Sequence, residues 1–401
     1  MDHERARSYR PRSTVGAAAL AALAASVVFS LARPAAAAPC GDLERPVIVA
    51  GSGKVIIADL AAALSALGIH VIYKLEGSCT AVDAILNGTP VLGPTDTTAA
   101  AYWTSAGEQS CDLDTGARAD IVISDVFATT CHPLANGFPT NLHDFQGPIE
   151  AYTFVVPKSS TQRSISKAAA YFIFGFGKDS GLEPWTDEDF IFQRGASSGT
   201  QQMFAAAIGV PPARWKGKLV ASSGDIVSSV STAMQPEQAL GILTEEVSGD
   251  KRSSLNVLAY QDAGQSCGYW PDSKEEGSDK QNVRDGHYTL WGPLHLFTQV
   301  DSTGYPVNPD ARDVIAYLTG TKILSGLDLI QLLAHANIIP QCAMHVRRET
   351  ELGELASFSP EQPCGCYFDA LTSGPSTCTS CTSDVTCPQG THCSYNYCEF
   401  Q

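Results

Sequence analysis

Apolar and polar positions along this chain fall into repeated blocks. A short apolar run of strand length is followed by a Gly/Ser turn, then by apolar residues at helical spacing. Residues 47–50 form such a run, followed by Gly51-Ser52-Gly53 and a predicted helix over 56–67 that ends at Gly68. Residues 70–73 repeat the pattern, with Gly77-Ser78-Cys79-Thr80 as the turn and a helix over 81–86. Residues 120–124 read as a buried strand, 152–156 as another, and 165–174 as a strongly apolar helix. Further strands are predicted over 190–193, 219–221 and 240–243, extended segments over 255–259 and 289–300, and helices over 200–208, 226–234, 310–318 and 327–334. Strands alternating with helices predict an α/β fold with a mainly parallel sheet covered on both faces, and ligands at the carboxyl ends of its strands. Two stretches break the pattern: polar, Thr-rich residues 93–119 read as an inserted surface loop, pinned by a Cys111–Cys131 bridge, and charged residues 272–285 read as a solvated loop.

The unit over 190–209, F-I-F-Q-R-G-A-S-S-G-T-Q-Q-M-F-A-A-A-I-G, carries the clearest chemistry. A strand feeding a Gly/Ser turn and a helix presents free backbone N–H groups and the positive end of the helix dipole. Arg194 adds a full charge beside them, and the hydroxyls of Ser197, Ser198 and Thr200 add donors, a set that suits a small oxyanion. The same residues, Gly195-Ala196-Ser197-Ser198-Gly199, also fit the G-x-S-x-G elbow of serine hydrolases. That alternative makes Ser197 a nucleophile, with His287, His295, His335 and His345 as downstream candidates for the base.

Composition narrows the classes. With 401 residues, 44% of them apolar and 17% charged, the chain can bury one large or two medium cores. Residues 1–38 read as an export signal: Arg5, Arg7, Arg10 and Arg12 precede an Ala/Leu/Val-rich run, and small residues near Ala37 offer a cut site. Cys40 raises the question of lipidation, which Pro39 disfavours. An exported chain can oxidise its 13 cysteines, seven of which fall within 364–401, a tail too polar to build a core. Cys378 and Cys381 have zinc-ligand spacing, but no second pair accompanies them, so disulfides are expected and no metal or cofactor. The formal charge of −16 falls to about −19 once the signal is removed, which argues against nucleic acid and anionic membranes as partners.

Gly77-Ser78-Cys79-Thr80, the D-I-V-I-S-D of 120–125 and the R-G-A-S-S-G-T of 194–200 occur in that order. They resemble the three ligand loops of the periplasmic phosphate-binding proteins of ABC importers, whose loops read approximately G-S-S-G-G, D-x-G-x-S-D and R-S-D-G-S-G-T. Residues 239–243 resemble that family's return strand, 288–296 its closing strand and 307–319 its C-terminal helix, so the likeness covers roughly 45–345. The resemblance implies a two-lobed type 2 solute-binding fold. Lobe 1 would come from about 45–150 and 255–345 and lobe 2 from about 151–254. A linker over 346–363 and a disulfide module over 364–401 would follow.

The resemblance further implies an extracytoplasmic, monomeric, non-catalytic protein that captures inorganic phosphate or a related oxyanion for import or sensing, with permease subunits as partners. Hinge closure would trap the anion. Ser52, Gly53, Ser78, Cys79, Asp125, Arg194, Ser198, Gly199 and Thr200 would contact it. Asp125 is informative because a carboxylate beside an anion is useful only as acceptor for a ligand proton, which phosphate carries and sulfate lacks. The chain also departs from the pattern. Ala196 stands where the family has an acid, Val55 where it has a hydroxyl, and Cys79 replaces a hydroxyl donor that a disulfide would remove altogether. These departures leave a third possibility, a secreted scaffold or adhesion protein that kept the fold and lost the ligand.

Overall fold

Three parallel strands set up the sheet. In the computed structural model, which describes residues 38–92, 97–135, 137–372 and 378–400, β1 (Pro46–Gly51) lies between β2 (His70–Leu75) and β5 (Ile121–Ser124), parallel to both. Helices α1 (Lys54–Ser65) and α2 (Ser78–Asn87) cover opposite faces. Ile56, Ile57 and Leu60 of α1 pack with Val49, Ile123 and Leu296, whereas Val82 and Ile85 of α2 pack with Ile72, Val122 and Phe297. This is the α/β alternation the pattern predicts, with helices on both faces. Apart from Ala38, the export signal expected over residues 1–38 lies outside the described residues. Among the described residues no helix is long and apolar enough to cross a membrane.

Outside that parallel core the sheet is mixed. Most of the segment expected as a loop over 93–119 is a hairpin, β3 (Ala99–Thr104) and β4 (Gly107–Asp112), which extends the sheet antiparallel from β2. Trp103, Ala100 and Cys111 point apolar surface into the cores, which the Thr-rich composition concealed. The expected Cys111–Cys131 bridge is not formed: Cys111 pairs with Cys40, and Cys131 with Cys79. Cys40 is therefore buried in a disulfide rather than free for a lipid.

On its other side the sheet passes through two long strands. β6 (Leu142–Pro157) and β10 (Trp291–Gln299) run antiparallel, with a register shift between Pro293 and His295. One end of β10 pairs with β5, and the far half of β6 pairs with β8 (Gly241–Thr244) and β9 (Leu255–Val257). These two strands carry the chain from the first lobe into a second, whose core holds Phe154, Phe174, Phe204 and Trp215. The second lobe adds α3 (Lys167–Phe176), the two-residue β7 (Phe192–Gln193), α4 (Gly199–Ile208), α5 (Ser223–Ser231) and α6 (Glu245–Asp250). α7 (Pro309–Leu318) and α8 (Leu329–His335) return to the first lobe, with Val314, Ile315 and Leu333 in its core.

Three expectations change. Residues 255–290, assigned to lobe 1 from the sequence, pack in lobe 2: Leu258, Tyr260, Val283 and Tyr288 join its core because β9 pairs with β6. The charged stretch 272–285 is solvated only in part: Lys274 and Glu276 are exposed, whereas Asp272, Lys280 and Arg284 are buried. Lys280, 1% exposed, donates to Asp272 (2.9 Å) and lies 3.4 Å from Glu245, while Arg252 donates to Glu245 (2.5 Å) and Asp272 (3.0 Å). Two cations against two carboxylates remove the cost that would exclude either pair from the interior. The expected linker over 346–363 is part of the body. Arg348 stacks on the Trp291 ring at 4.0 Å, and Glu351 accepts from Phe127 N and Thr130 Oγ1, both at 3.0 Å.

The tail divides in two. Cys364 bridges to Cys342, and α9 (Gly365–Thr372) buries Phe368 in the second lobe's core while Asp369 pairs with Arg284. The later cysteines form a small unit closed by Cys366–Cys378, Cys381–Cys393 and Cys387–Cys398 around the hairpin β11 (Thr391–Ser394) and β12 (Tyr397–Phe400). The thirteenth cysteine, Cys267, is free and exposed.

Candidate anion-binding cleft

Each of the turns singled out in the sequence lies at the carboxyl end of a strand. Gly51 ends β1 with φ 120°, and a Cβ there would stand 2.0 Å from the Ile123 carbonyl oxygen, so only glycine fits. Ser52 N donates to that same carbonyl (3.1 Å), and Gly53, with φ 78°, is the N-cap of α1. Ser78 is the first residue of α2 and is 1% exposed; its Oγ accepts from Asp125 N (3.3 Å). Asp125 follows β5, 6% exposed, and its backbone carbonyl accepts from the Tyr152 hydroxyl (2.7 Å).

The second lobe meets this group from the other side. Ser198 caps α4, accepting from Gln201 N (3.4 Å), and Gly199 and Thr200 open the helix. A Cβ on Gly199 would stand 2.5 Å from Ser78 Oγ and 2.7 Å from Asp125 Oδ2, so the helix start rests directly on the first lobe. The hydroxyls of Ser52 and Ser78, the charge of Arg194 and the Thr200 N–H all act on the Asp125 carboxyl; burial outweighs them and raises its pKa above the usual carboxylate range.

Arg194 is half-buried and faces Asp125 from β7's end. Its Nη1 donates to Ser223 Oγ (2.8 Å), and its backbone N donates to Gln201 Oε1 (3.0 Å). Burial lowers its pKa, opposed by Asp125 and Asp225. Its Nε is buried without a partner among the described residues, as is Gln201 Nε2. Two orphaned donors at one turn are what an acceptor-rich ligand would satisfy.

All nine expected residues, Ser52, Gly53, Ser78, Cys79, Asp125, Arg194, Ser198, Gly199 and Thr200, sit in the turns at these strand ends, and Ser52, Ser78, Arg194 and Thr200 act on the Asp125 carboxyl. Cys79 is the exception as a side-chain donor. Its sulfur is tied to Cys131, and only its backbone N–H remains, donating to the Ser197 carbonyl at 3.0 Å. Ser223, in place of the missing acid at Ala196, orients Arg194.

Sequence reasoning missed the acids. Glu150 stands on β6, 3% exposed, its pKa pushed well up by burial and by Asp125 and Glu246, with a hydrogen bond from Thr244 opposing. Glu246, on α6, is pushed up to about 7 by burial and by Asp125. A lone Glu in the apolar run I-E-A-Y-T-F-V-V was the available signal for Glu150; Glu246 in T-E-E gave none. Gln201, one residue beyond the motif, was also missed.

Three of the four histidines named for the hydrolase alternative have partners outside the Ser197 turn. His295 Nδ1 lies 2.8 Å from Asp144, His345 Nδ1 2.6 Å from Asp285, and His287 stacks on Tyr269. A cavity of about 600 Å³ lined by Leu318, Leu324, Ile330 and Tyr395 holds none of the expected site residues.

No family model matches the sequence, and no curated protein matches it. Among solved structures the chain is similar to a putative phosphate ABC transporter substrate-binding protein with bound phosphate from Clostridium perfringens. That match is 12% identical over 74% of this chain and 99% of the other, with a TM-score of 0.49. An ABC-type phosphate transport receptor from Vibrio cholerae is 17% identical over 73% and 99%, TM-score 0.46. A mutant OxyR from Corynebacterium glutamicum is 8% identical over 74% and 66%, TM-score 0.40. These likenesses are distant, and the functional reading rests on the chain's own geometry.

Proposed function

We propose that this chain is an extracytoplasmic solute-binding protein that captures an oxyanion, phosphate first, between its two lobes for ABC-type import or sensing. The observation that carries this reading is Arg194 with an orphaned Nε, set opposite Asp125 where the N-termini of α1, α2 and α4 converge from both lobes. Helix N-termini and a guanidinium supply the attraction. A buried carboxyl supplies the acceptor for a ligand proton, which selects phosphate over sulfate. The two long strands β6 and β10 are the natural hinge, since the lobes are joined through them. Nothing in this function needs catalysis. The hydrolase alternative needs a histidine Nε2 at the Ser197 hydroxyl, whereas the contacts of His287, His295 and His345 are with Tyr269, Asp144 and Asp285. A second reading, a scaffold that has lost its ligand, is favoured by the Cys79–Cys131 bridge and by the direct approach of Gly199 to Asp125.

Calorimetric titration with phosphate, sulfate, arsenate and molybdate separates the two. Saturable heat with phosphate and a weaker response to sulfate is expected. Silence from all four anions at any pH gives the scaffold reading.

A further inference from the structure

Glu246 belongs to the second lobe, yet its carboxyl takes the backbone N–H of Val55, in the first turn of α1 in the first lobe. That N–H lies at a helix N-terminus whose partial positive charge would otherwise serve a bound anion. The other carboxyl oxygen, Oε1, is buried and has no partner among the described residues. Asp125 faces Glu246 from the end of β5, Glu150 from β6, the Tyr73 hydroxyl from β2 and Asp250 from α6 itself. Arg194 is the cation of this group and acts on it through Asp125. Thr200 N–H at the start of α4 is likewise met by a carboxyl of the chain, that of Asp125. Three carboxyls therefore share the cleft with one guanidinium, and two of them meet the helix termini that an oxyanion would use.

With these carboxyls ionised, an entering oxyanion meets net negative charge and an occupied α1 terminus. With Glu246 protonated, the terminus is released and the same carboxyl becomes a donor toward the ligand. We infer that Glu246, backed by Glu150, is a selectivity residue of this cleft, through which the chain takes up its oxyanion together with a proton and favours dihydrogen phosphate over fully ionised oxyanions. The inference rests on the oxyanion reading above. The balance is simple: one proton from solvent joins the Glu246 carboxylate as the anion enters, and no covalent bond changes in the ligand.

The test is calorimetric titration of the full chain with inorganic phosphate from about pH 5.5 to about pH 8.5, in buffers of different ionisation heat. Phosphate itself accounts for at most about one proton per site in this range, so wild-type uptake of more than about one proton at the alkaline end is expected. Affinity of the wild type should fall about tenfold further per pH unit above neutrality than that of Glu246→Gln. Uptake of about one proton or fewer by the wild type overturns the inference without need of any variant, while leaving the oxyanion site standing. Parallel pH profiles for wild type and a folded Glu246→Gln overturn it equally. Absence of phosphate binding at every pH overturns the oxyanion reading and this inference together.

Discussion

The backbone N–H of Cys79, at the start of α2 in the first lobe, donates to the carbonyl of Ser197 in the second lobe at 3.0 Å. The bond ties two of the three motif turns directly to each other. It also explains Gly77: a Cβ there would stand 2.6 Å from the Ser197 oxygen. The lobes can approach this closely only because the residue before α2 has no side chain.

Gly77→Ala should therefore hold the cleft open without unfolding either lobe. Gly77 has φ −67°, which alanine adopts freely, so the clash across the cleft is the whole effect. Loss of one backbone bond is worth roughly 1 kcal/mol, and phosphate affinity should drop by about fivefold or more. Small-angle scattering should show a larger radius of gyration than wild type. Unchanged scattering and unchanged affinity would place the anion elsewhere.

Arg194→Ala removes the cation that faces Asp125. Its pKa is lowered by burial, so the charge is already poorly solvated and gains most from a ligand. Losing a charge-assisted contact in a closed cleft costs on the order of 2–5 kcal/mol of binding. Ser223→Ala, which frees Nη1 without removing the charge, should cost about 1 kcal/mol. Binding by Arg194→Ala within about threefold of wild type would show that the site is misplaced.

Selectivity should follow Asp125. Wild type should prefer phosphate to sulfate, and Asp125→Asn should narrow the gap by roughly 1.5–3 kcal/mol, or one to two decades. The same change removes an acceptor shared by Ser52, Ser78 and the Thr200 N–H, so some stability is also lost. Affinities for both anions on both proteins decide the matter. Stability loss with unchanged selectivity would make Asp125 a purely structural residue.

The first part of the tail is not free-standing. Read from composition alone, residues 364–401 form a module of their own, so removing everything after Pro360 should leave ligand affinity unchanged. Instead Cys364 bridges to Cys342 and Phe368 is 1% exposed in the second lobe's core. Truncation after Pro360 should cost several kcal/mol, from a lost disulfide (about 2–5) and a lost buried aromatic (about 3–5). Truncation after Thr372 keeps both and should melt close to wild type. Equal melting temperatures for the two truncations would contradict the packing of α9.

The motifs were legible because local sequence fixes them. A strand, a Gly/Ser turn and a helix place Ser78, Asp125 and Arg194 at strand ends whatever the rest of the chain does. The charged stretch 272–285 misled for the opposite reason. Asp272 and Lys280 are buried because Glu245 and Arg252, distant in sequence, complete the charge balance, and no window around 272–285 contains them. Arg348 and Glu351 look like linker residues until Trp291 and Phe127 supply a face and a backbone donor. Glu246 was invisible because its significance comes from Val55 and Asp125, both in the other lobe.

That interlobe carboxyl also sets a pH dependence of stability that needs no ligand. The Glu246 pKa rises from an ordinary 4.5 to about 7 in the folded chain, chiefly through burial and then through Asp125. The folded state therefore binds the proton more tightly than the unfolded state does. The associated stability is fully present below about pH 4.5 and is lost as the pH climbs through about 7. Glu150 and Asp125, also raised by burial, act in the same direction. Glu246→Gln keeps the shape of the side chain and removes the titration. Its stability should match wild type near pH 5 and exceed it near pH 8, by a difference on the order of 1–3 kcal/mol. The check is a pair of thermal melts across this range at fixed ionic strength. A gap that stays constant, or that closes as the pH rises, would mean that the Glu246 carboxyl is ionised at no cost, and the crowding of acids in the cleft would then have no energetic consequence.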